Sequence, residues 1–366
     1  MKIGIINEKT DNRVAIVPDL VKRLIDEGNE IVAEKGCGES ALYSDETYLG
    51  AGAKMLDRAD VLKSSDLICS IFPLEKEDYK LLPNEAVVIS SFQPYFSLDK
   101  TESAANKNFT VFSLDMIPRI TLAQAMDVLS SMASIAGYKA VITAADHLPK
   151  YFPMLTTAAG SIPPAKVLVM GAGVAGLQAV ATAKRLGAVV QAFDTRAAAK
   201  EEVESLGAKF VEVEGAADDK SAGGYAVEQT EEYKQKQREK IFEEAVKADV
   251  IVTTAQLRGK PAPVLITKEM VDQMKEGSVI VDIASSTGGN CELTEDGKTV
   301  VKSGVTIIGN SELAADVPNH ASQLFSKNIH NFAKTFLKEG KAEIDMENEI
   351  LKSSCIVSNG EVVYGN

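Results

Sequence analysis

Short apolar runs of four to six residues recur along the chain, each followed by a polar stretch with apolar positions three or four apart. KIGII near the start reads as a strand, Pro18 to Glu27 as a helix, and EIVAEKG as the next strand. A helix around Asp45 to Gly52, then DLICSIF, AVVISS and FTVFSL as strands, continue the alternation. Unbroken apolar runs of this length suit strands covered on both faces, and alternation with helices joins them as a parallel sheet. The pattern predicts one doubly wound unit of about 115–130 residues.

The rhythm restarts after TAAGSIPPA. AKVLVMGAG is a strand running into a glycine turn, and AVVQAFD, AKFVEV, ADVIVTTA, SVIVDIA and TIIGN are five further short β-rich runs. Asn319 to Leu337 reads as a helix, followed by a weak SCIVSNGEVVYG tail. Between Glu212 and Glu244, small residues and Gly-Gly give way to Glu, Gln and Lys, with a helix at the far end. An insertion there is either a lid at the carboxyl edge of the sheet or a solvated charged helix with a loose lead-in. The fold class expected is α/β, with two Rossmann-like doubly wound parallel-sheet domains flanking a cleft. The boundaries expected are 1–129, completed by 320–366, and 130–319. Two long helices, near 129–146 and 321–337, are expected to join the domains.

Composition narrows the chemistry. The 366 residues are 45% apolar with a net charge of −13, which argues against a general nucleic-acid or anionic-membrane binder. The cysteines at 37, 69, 291 and 355 are far apart and there are three histidines. No zinc-type spacing exists, and free thiols are expected. MKIGIINEKTDNR lacks the apolar core of a signal peptide. The most hydrophobic stretch, Val167 to Ala183, reads as a buried strand plus a packed helix, so no transmembrane segment is expected.

Gly171-Ala172-Gly173-Val174-Ala175-Gly176 is G-x-G-x-x-G between a buried strand and a helix, and Asp194 ends the next strand 18 residues after Gly176. Gly171 permits the tight turn, Gly173 lets a pyrophosphate approach the backbone, and Gly176 lets helix and strand pack closely. The helix N-terminus offers unpaired N–H groups to the phosphates. Asp194 can accept ribose hydroxyls and repels a 2′-phosphate, favouring NAD(H) over NADP(H). Arg196 pulls the other way, but Asp194 sits where the ribose lies. Upstream, DMIPRITLAQAMDVLSSMASIAGYKAV runs from a proline-bearing loop into a long helix. Arg119, Gln124 and Asp127 lie on that seam, and Asp127 alone also reads as a helix N-cap.

These motifs together resemble a family. DNRVAIVP, PRITLAQAMDVLSSMASIAGYKAV, TAAGSIPPAKVLVMGAGVAGLQAVATAKRLGA, FDTRA, GGYA, VTTAQLRGKPAPVLIT, GSVIVDIA and GGNC resemble the alanine dehydrogenase/transhydrogenase superfamily. Within it the chain is similar to the NAD(H)-binding component of the proton-translocating, Si/Re-type NAD(P)⁺ transhydrogenases. The resemblance covers nearly the whole chain. It implies direct hydride transfer between two nicotinamide rings, NAD(H) on this chain and NADP(H) on a partner chain, with no general base.

By the same resemblance, Arg119, Ile120, Gln124, Asp127 and Ser130 meet the nicotinamide end of the cofactor. Arg119 contacts the carboxamide or phosphate, and Gln124 orients the ribose. Asp127 holds Arg119 or a ribose hydroxyl, and Ser130 caps the helix while bonding the cofactor. Val174 and Ala175 with the three glycines meet the phosphates, and Asp194, Thr195 and Arg196 the adenosine. Gly224 and Tyr225 belong to a closing loop, and Ala255 and Gln256 follow a strand end at the cofactor. Of the groups an alanine dehydrogenase needs, only Arg13 has a counterpart. The lysine, histidine and aspartate positions fall on Ser70, Phe92 and Ser286. Leu122, Ala125 and Thr254-Ala255-Gln256-Leu257-Arg258-Gly259 depart from the family pattern. The resemblance further implies a homodimer, a membrane-spanning subunit and an NADP(H)-binding beta subunit, with no direct membrane insertion. The chain stops at Asn366, which points to a split form peripheral on the cytoplasmic face of the inner membrane. An amino-acid dehydrogenase acting alone and a non-catalytic NAD(H) sensor are the alternatives.

Overall fold

Six strands, β1 (Lys2–Ile5), β2 (Glu30–Glu34), β3 (Lys54–Leu56), β4 (Leu67–Cys69), β5 (Val87–Ser90) and β6 (Thr110–Ser113), frame the N-terminal sheet. The protein is seen here in a computed structural model that describes residues 1–105, 107–196, 198–213, 231–257 and 259–364, without the side chains of 233 and 234. The chain divides into two compact units, Met1–Met132 with Ala315–Asn366, and Ala133–Ala314.

In the first unit the strand order is Glu361–Val362, Cys355–Ser358, β6, β5, β4, β1, β2, β3. All neighbours from β6 to β3 are parallel. The order reverses between β1 and β4, which pair directly, Ile5 opposite Cys69. The tail that reads weakly in sequence is a hairpin, and its first strand pairs antiparallel with β6. Alternate residues feed two cores. Ile3, Ile5, Leu67, Ile89 and Phe112 pack with Leu20, Phe325 and Phe332 on one face. Val32, Ile68, Val88 and Val111 pack with Val61, Tyr79 and Ile356 on the other. Each such side chain contributes roughly 1.5–3 kcal/mol by leaving water. The helix expected near 321–337 is Pro318–Ala333 and belongs to this unit.

The second unit opens with a solvent-exposed hairpin, β7 (Leu155–Thr157) and β8 (Gly160–Ile162). Its sheet comprises β9 (Lys166–Met170), β10 (Val189–Phe193), β11 (Lys209–Phe210), β12 (Val250–Thr253), β13 (Val279–Asp282), β14 (Thr299–Lys302) and β15 (Val305–Gly309). The order is β11-β10-β9-β12-β13-β15-β14, parallel except for β14 at the edge. Here the reversal falls between β9 and β12, with Met170 opposite Thr253. Every residue of β12 and β13 is buried, which is why both read as continuous apolar runs.

The helix Val128–His147 is 20 residues long with a mean hydropathy of 1.3. Among the described residues it alone is long and apolar enough to cross a membrane by those two measures. The most hydrophobic stretch of the sequence, 167–183, is instead a strand and a separate helix. Ala136, Ala140, Val141 and Ala144 of the long helix are buried with Val167, Val169, Ala179 and Val180, so packing accounts for part of its composition, 39% of the apolar window being buried. All four cysteines are free and buried.

Candidate functional site

In an open α/β sheet the ligand crevice lies outside the carboxyl ends of the two strands where the order reverses. In the second unit those are β9 and β12. β9 runs into Gly171 at φ +100°, a conformation that glycine adopts without strain. Its N–H donates to Phe193 O at 2.8 Å. A Cβ on Gly176 would lie 1.8 Å from Gly171 O, so only glycine lets the helix start this close to the strand. At Gly173 a Cβ would meet nothing within 4 Å, so that side of the turn is open. Helix Val174–Arg185 begins there with no side-chain cap. The first-turn N–H groups of Val174, Ala175 and Gly176 therefore point outward without intrahelical partners, which suits an anion.

Asp194, at the end of β10, closes this turn. Its Oδ2 accepts from Ala172 N–H at 2.7 Å and its Oδ1 from Arg196 N–H at 2.8 Å. The Arg196 guanidinium donates to both oxygens at 3.0 Å. Burial opposes the charge, yet the Arg196 hydrogen bonds and the two backbone donors hold the carboxyl below its ordinary range. Both residues are thus in place, but paired with each other. Ribose hydroxyls would have to take over acceptor sites that Arg196 fills. Thr195 sits between them.

At the end of β12, Thr254 Oγ1 donates to Gly171 O at 3.1 Å, keying the two crevice strands together. Ala255 exchanges hydrogen bonds with the Asn290 side chain, N–H to Oδ1 at 2.9 Å and Nδ2 to Ala255 O at 2.9 Å. Gln256 is exposed beside it. Asn290 falls in GGNC, one of the motifs that carry the family resemblance, but the motif assigns it no role. Gly137 is a second such residue. A Cβ there would lie 2.0 Å from Ala175 O, so the Val128–His147 helix packs directly on the phosphate-facing turn. The glycine turn, Asp194, Arg196, Ala255 and Gln256 therefore converge on one crevice. Gly224 and Tyr225, and Arg258, lie outside the described residues.

The polar segment belongs to the first unit. Arg119 and Gln124 are exposed, with Gln124 on a short 3₁₀ turn, Thr121–Met126. The turn is pinned from below, because Ala125 O accepts from Asn328 Nδ2 at 2.9 Å and Asn331 Nδ2 at 3.0 Å. The cap expected of Ser130 is supplied by Asp127, the alternative that its position before the helix offered. Asp127 is the cap: its Oδ1 accepts from Ser130 N–H at 2.8 Å and its Oδ2 from Ser130 Oγ at 2.6 Å. Asp127 is thus engaged with Ser130, not with Arg119. An acceptor one residue before a helix satisfies the third helical N–H, and Ser130 stands at that position. Ile120 is partly buried against the first core.

The alanine dehydrogenase positions are poorly equipped. Arg13 is buried and paired with Asp11, Nη2 to Oδ2 at 2.6 Å, and lies over the Phe72 ring at 5.7 Å. Ser70 and Phe92 are buried and Ser286 is exposed. At this reversal point, between β1 and β4, Glu8 accepts from Ile71 N–H at 2.6 Å. Burial pushes its carboxyl up to about 7. Among the described residues no cluster of His, Cys, Asp and Glu is arranged to hold a metal.

Comparison with known proteins finds two family models that together span nearly the whole chain. The family model "Alanine dehydrogenase/PNT, N-terminal domain" matches residues 4–136, and its C-terminal counterpart matches 140–365. The chain is 44% identical to the first part of the NAD(P) transhydrogenase alpha subunit of Rhodospirillum rubrum, over all of this chain and 98% of that one. It is 26% identical to an alanine dehydrogenase of Staphylococcus epidermidis, over 100% and 95% of the two chains. A solved transhydrogenase structure from Sinorhizobium meliloti superposes with a TM-score of 0.91 at 41% identity, covering 99% of this chain and all of the other. On the glycine-turn crevice, the two-sheet architecture and these matches, the chain belongs to the alanine dehydrogenase/PNT family.

Proposed function

We propose that this chain is the NAD(H)-binding component of a proton-translocating NAD(P) transhydrogenase, passing hydride directly between its own nicotinamide and NADP(H) held on a partner chain. The observation that carries the reading is a contrast. The crevice of the second unit carries the features that suit a dinucleotide, while the chain lacks three of the four groups an amino-acid dehydrogenase uses, two of them in the first unit. Amine oxidation needs a proton acceptor and a cation for the carboxylate. Here Ser70 and Phe92 replace two of those groups, and Arg13 is already neutralised by Asp11. Ring-to-ring hydride transfer needs neither. It needs approach of the two rings to about 3–3.5 Å and exclusion of water. The high-identity relatives carry transhydrogenase names, which supports a component role in that enzyme.

In this reading the pyrophosphate lies on Gly171, Gly173 and the N–H groups of Val174, Ala175 and Gly176. Asp194, Thr195 and Arg196 take the adenosine, and Ala255 and Gln256 border the cofactor at the second strand end. Arg119, Ile120 and Gln124 bear on the nicotinamide half, with Gln124 orienting it. Asp127 acts by fixing the start of the helix and with it the position of Ser130. NADP(H) and proton movement belong to partner chains, a beta subunit and a membrane-spanning subunit. The chain works as a homodimer, peripheral on the cytoplasmic face of the membrane.

The test is to mix the protein with a purified NADP(H)-binding component and follow NADP⁺ reduction by NADH. Turnover there, with none from pyruvate, ammonia and NADH, is the result expected. Turnover with pyruvate and ammonia would make the chain an amino-acid dehydrogenase. NADH binding with neither turnover would make it a sensor.

A further inference from the structure

Asn290 is fully buried, and every hydrogen-bonding group it owns is used. Its side chain makes the reciprocal pair with Ala255, and Nδ2 also donates to Pro263 O at 2.8 Å. Its backbone N–H donates to Asp282 Oδ2 at 2.8 Å, and its carbonyl accepts from Leu265 N–H at 2.8 Å and Ile266 N–H at 2.9 Å. One residue therefore holds the segment after β12 at both ends, 255 and 263–266. The β12–β13 ladder ends at Thr253 opposite Asp282. A side-chain amide that both accepts from and donates to one backbone residue reproduces a ladder rung beyond that point.

Asn290 is delivered to that place by its neighbours. Asp282, buried, accepts from the N–H groups of Ala284, Asn290 and Cys291 and from Thr294 Oγ1. The turn wraps around this carboxylate so closely that a Cβ on Gly289, at φ +80°, would stand 2.7 Å from Asp282 Oδ2. Ala255 N in turn lies 3.3 Å from where a Gly171 Cβ would be. The chain of contacts runs from Asp282 through Asn290 to Ala255 and ends against the first glycine of the turn.

We propose that Asn290 is a positioning residue for cofactor binding, holding the 255–256 strand end in the crevice so that it meets the half of the dinucleotide beyond the glycine turn. This rests on the reading of that crevice as the NAD(H) site. Without the amide, the Ala255 N–H and C=O lose their partners in a half-buried setting, and the segment moves to find others. The glycine turn touches Ala255 at Gly171 but keeps its own bond from Gly171 N–H to Phe193 O, and Asp194 is held by Ala172 and Arg196.

The experiment is equilibrium titration of the full chain with NADH and with 5′-AMP, which needs only the turn and Asp194. For Asn290→Ala, NADH affinity is expected to fall about tenfold while AMP affinity stays within about twofold. Asn290→Asp keeps the acceptor for Ala255 N–H but turns a carboxylate toward Ala255 O and Pro263 O, with Asp282 alongside. Its NADH affinity, relative to the unsubstituted protein, is expected to rise from about pH 8 to about pH 5.5 as that carboxyl regains a donor proton. NADH and AMP weakening in parallel, or both unchanged, or an Asp variant with no such pH dependence, would overturn the positioning role. If Asn290→Ala fails to fold, Asn290→Asp carries the test alone. Failure of the unsubstituted protein to bind NADH would instead sink the site reading itself.

Discussion

The two units share a strand order and differ in what stands where that order reverses. Between β9 and β12 the second unit places Gly171, Gly173 and an uncapped helix start, with open space at Gly173. Between β1 and β4 the first unit places Glu8 on the Ile71 N–H, with the Asp11–Arg13 pair nearby in sequence and Arg13 over Phe72. One crevice has its donors facing out and its side chains removed. In the other, the chain's own carboxylate takes the backbone donor that an anionic ligand would use. Topology creates two equivalent places for a ligand, and the residues at the strand ends set what each can take: the first unit's cavity is lined by Asn7, Glu8, Asp11 and Glu34 and presents carboxylates instead of open backbone donors. The same order of strands is thus no guide to function until those residues are read.

The largest effect expected on this contrast is from Gly176→Val. The new Cβ would meet Gly171 O, a backbone atom that cannot swing aside. NADH binding should weaken by more than about 100-fold, seen as loss of fluorescence change on titration. Retained binding would mean that the cofactor lies elsewhere.

Next is Glu8→Gln, which probes the crevice of the first unit. The Glu8 value of about 7 stands above its ordinary 4.5 because of burial. The native state therefore holds a proton through that interval that the unfolded chain releases. Stability from this group is full below about 4.5 and is lost as pH rises through about 7. Between pH 5 and pH 8 the unsubstituted protein should lose about 2 kcal/mol more than Glu8→Gln, measured by denaturant melts at both pH values. The variant should still bind one NADH per chain, since Ile71, Phe72 and the Arg13 pair remain in place. A second bound NADH would show that Glu8 alone had closed the site.

Asp194→Asn keeps an acceptor for the Ala172 N–H and removes the charge. NADH affinity should drop about tenfold, and the preference over NADPH should narrow. An unchanged preference would move the discrimination to Arg196. The smallest effect is from Asp127→Ala, which should cost about 1 kcal/mol of stability through the lost cap. Thermal melting checks this, and a loss of NADH binding well beyond that would restore Asp127 to the cofactor.

Much of the second unit is legible in its residues alone. β9, β12 and β13 are apolar without interruption because they are covered on both faces, and G-x-G-x-x-G is legible because each glycine answers a separate steric demand. Other features depend on partners distant in sequence. Asn290 acts on Ala255, 35 residues away, and Glu8 acts on Ile71, 63 away. No local pattern marks Glu8, and GGNC marks Asn290 as part of the resemblance without showing its partner. The tail hairpin reads weakly because its second strand is only Glu361–Val362. Its place is set by pairing with β6, not by its own propensity. The cap falls to Asp127 and not to Ser130, because two polar residues at the start of a helix both suit capping and only the hydrogen bonds separate them.

The central claim is that hydride leaves a nicotinamide held by this chain and goes straight to one held by another. The most direct measurement uses NADH deuterated at its transferable C4 position, mixed in ordinary water with this protein and an NADP(H)-binding component. The account predicts NADPH carrying the deuterium, with no loss to solvent. NADPH formed without the label, or formed equally well when this chain is left out, would contradict it.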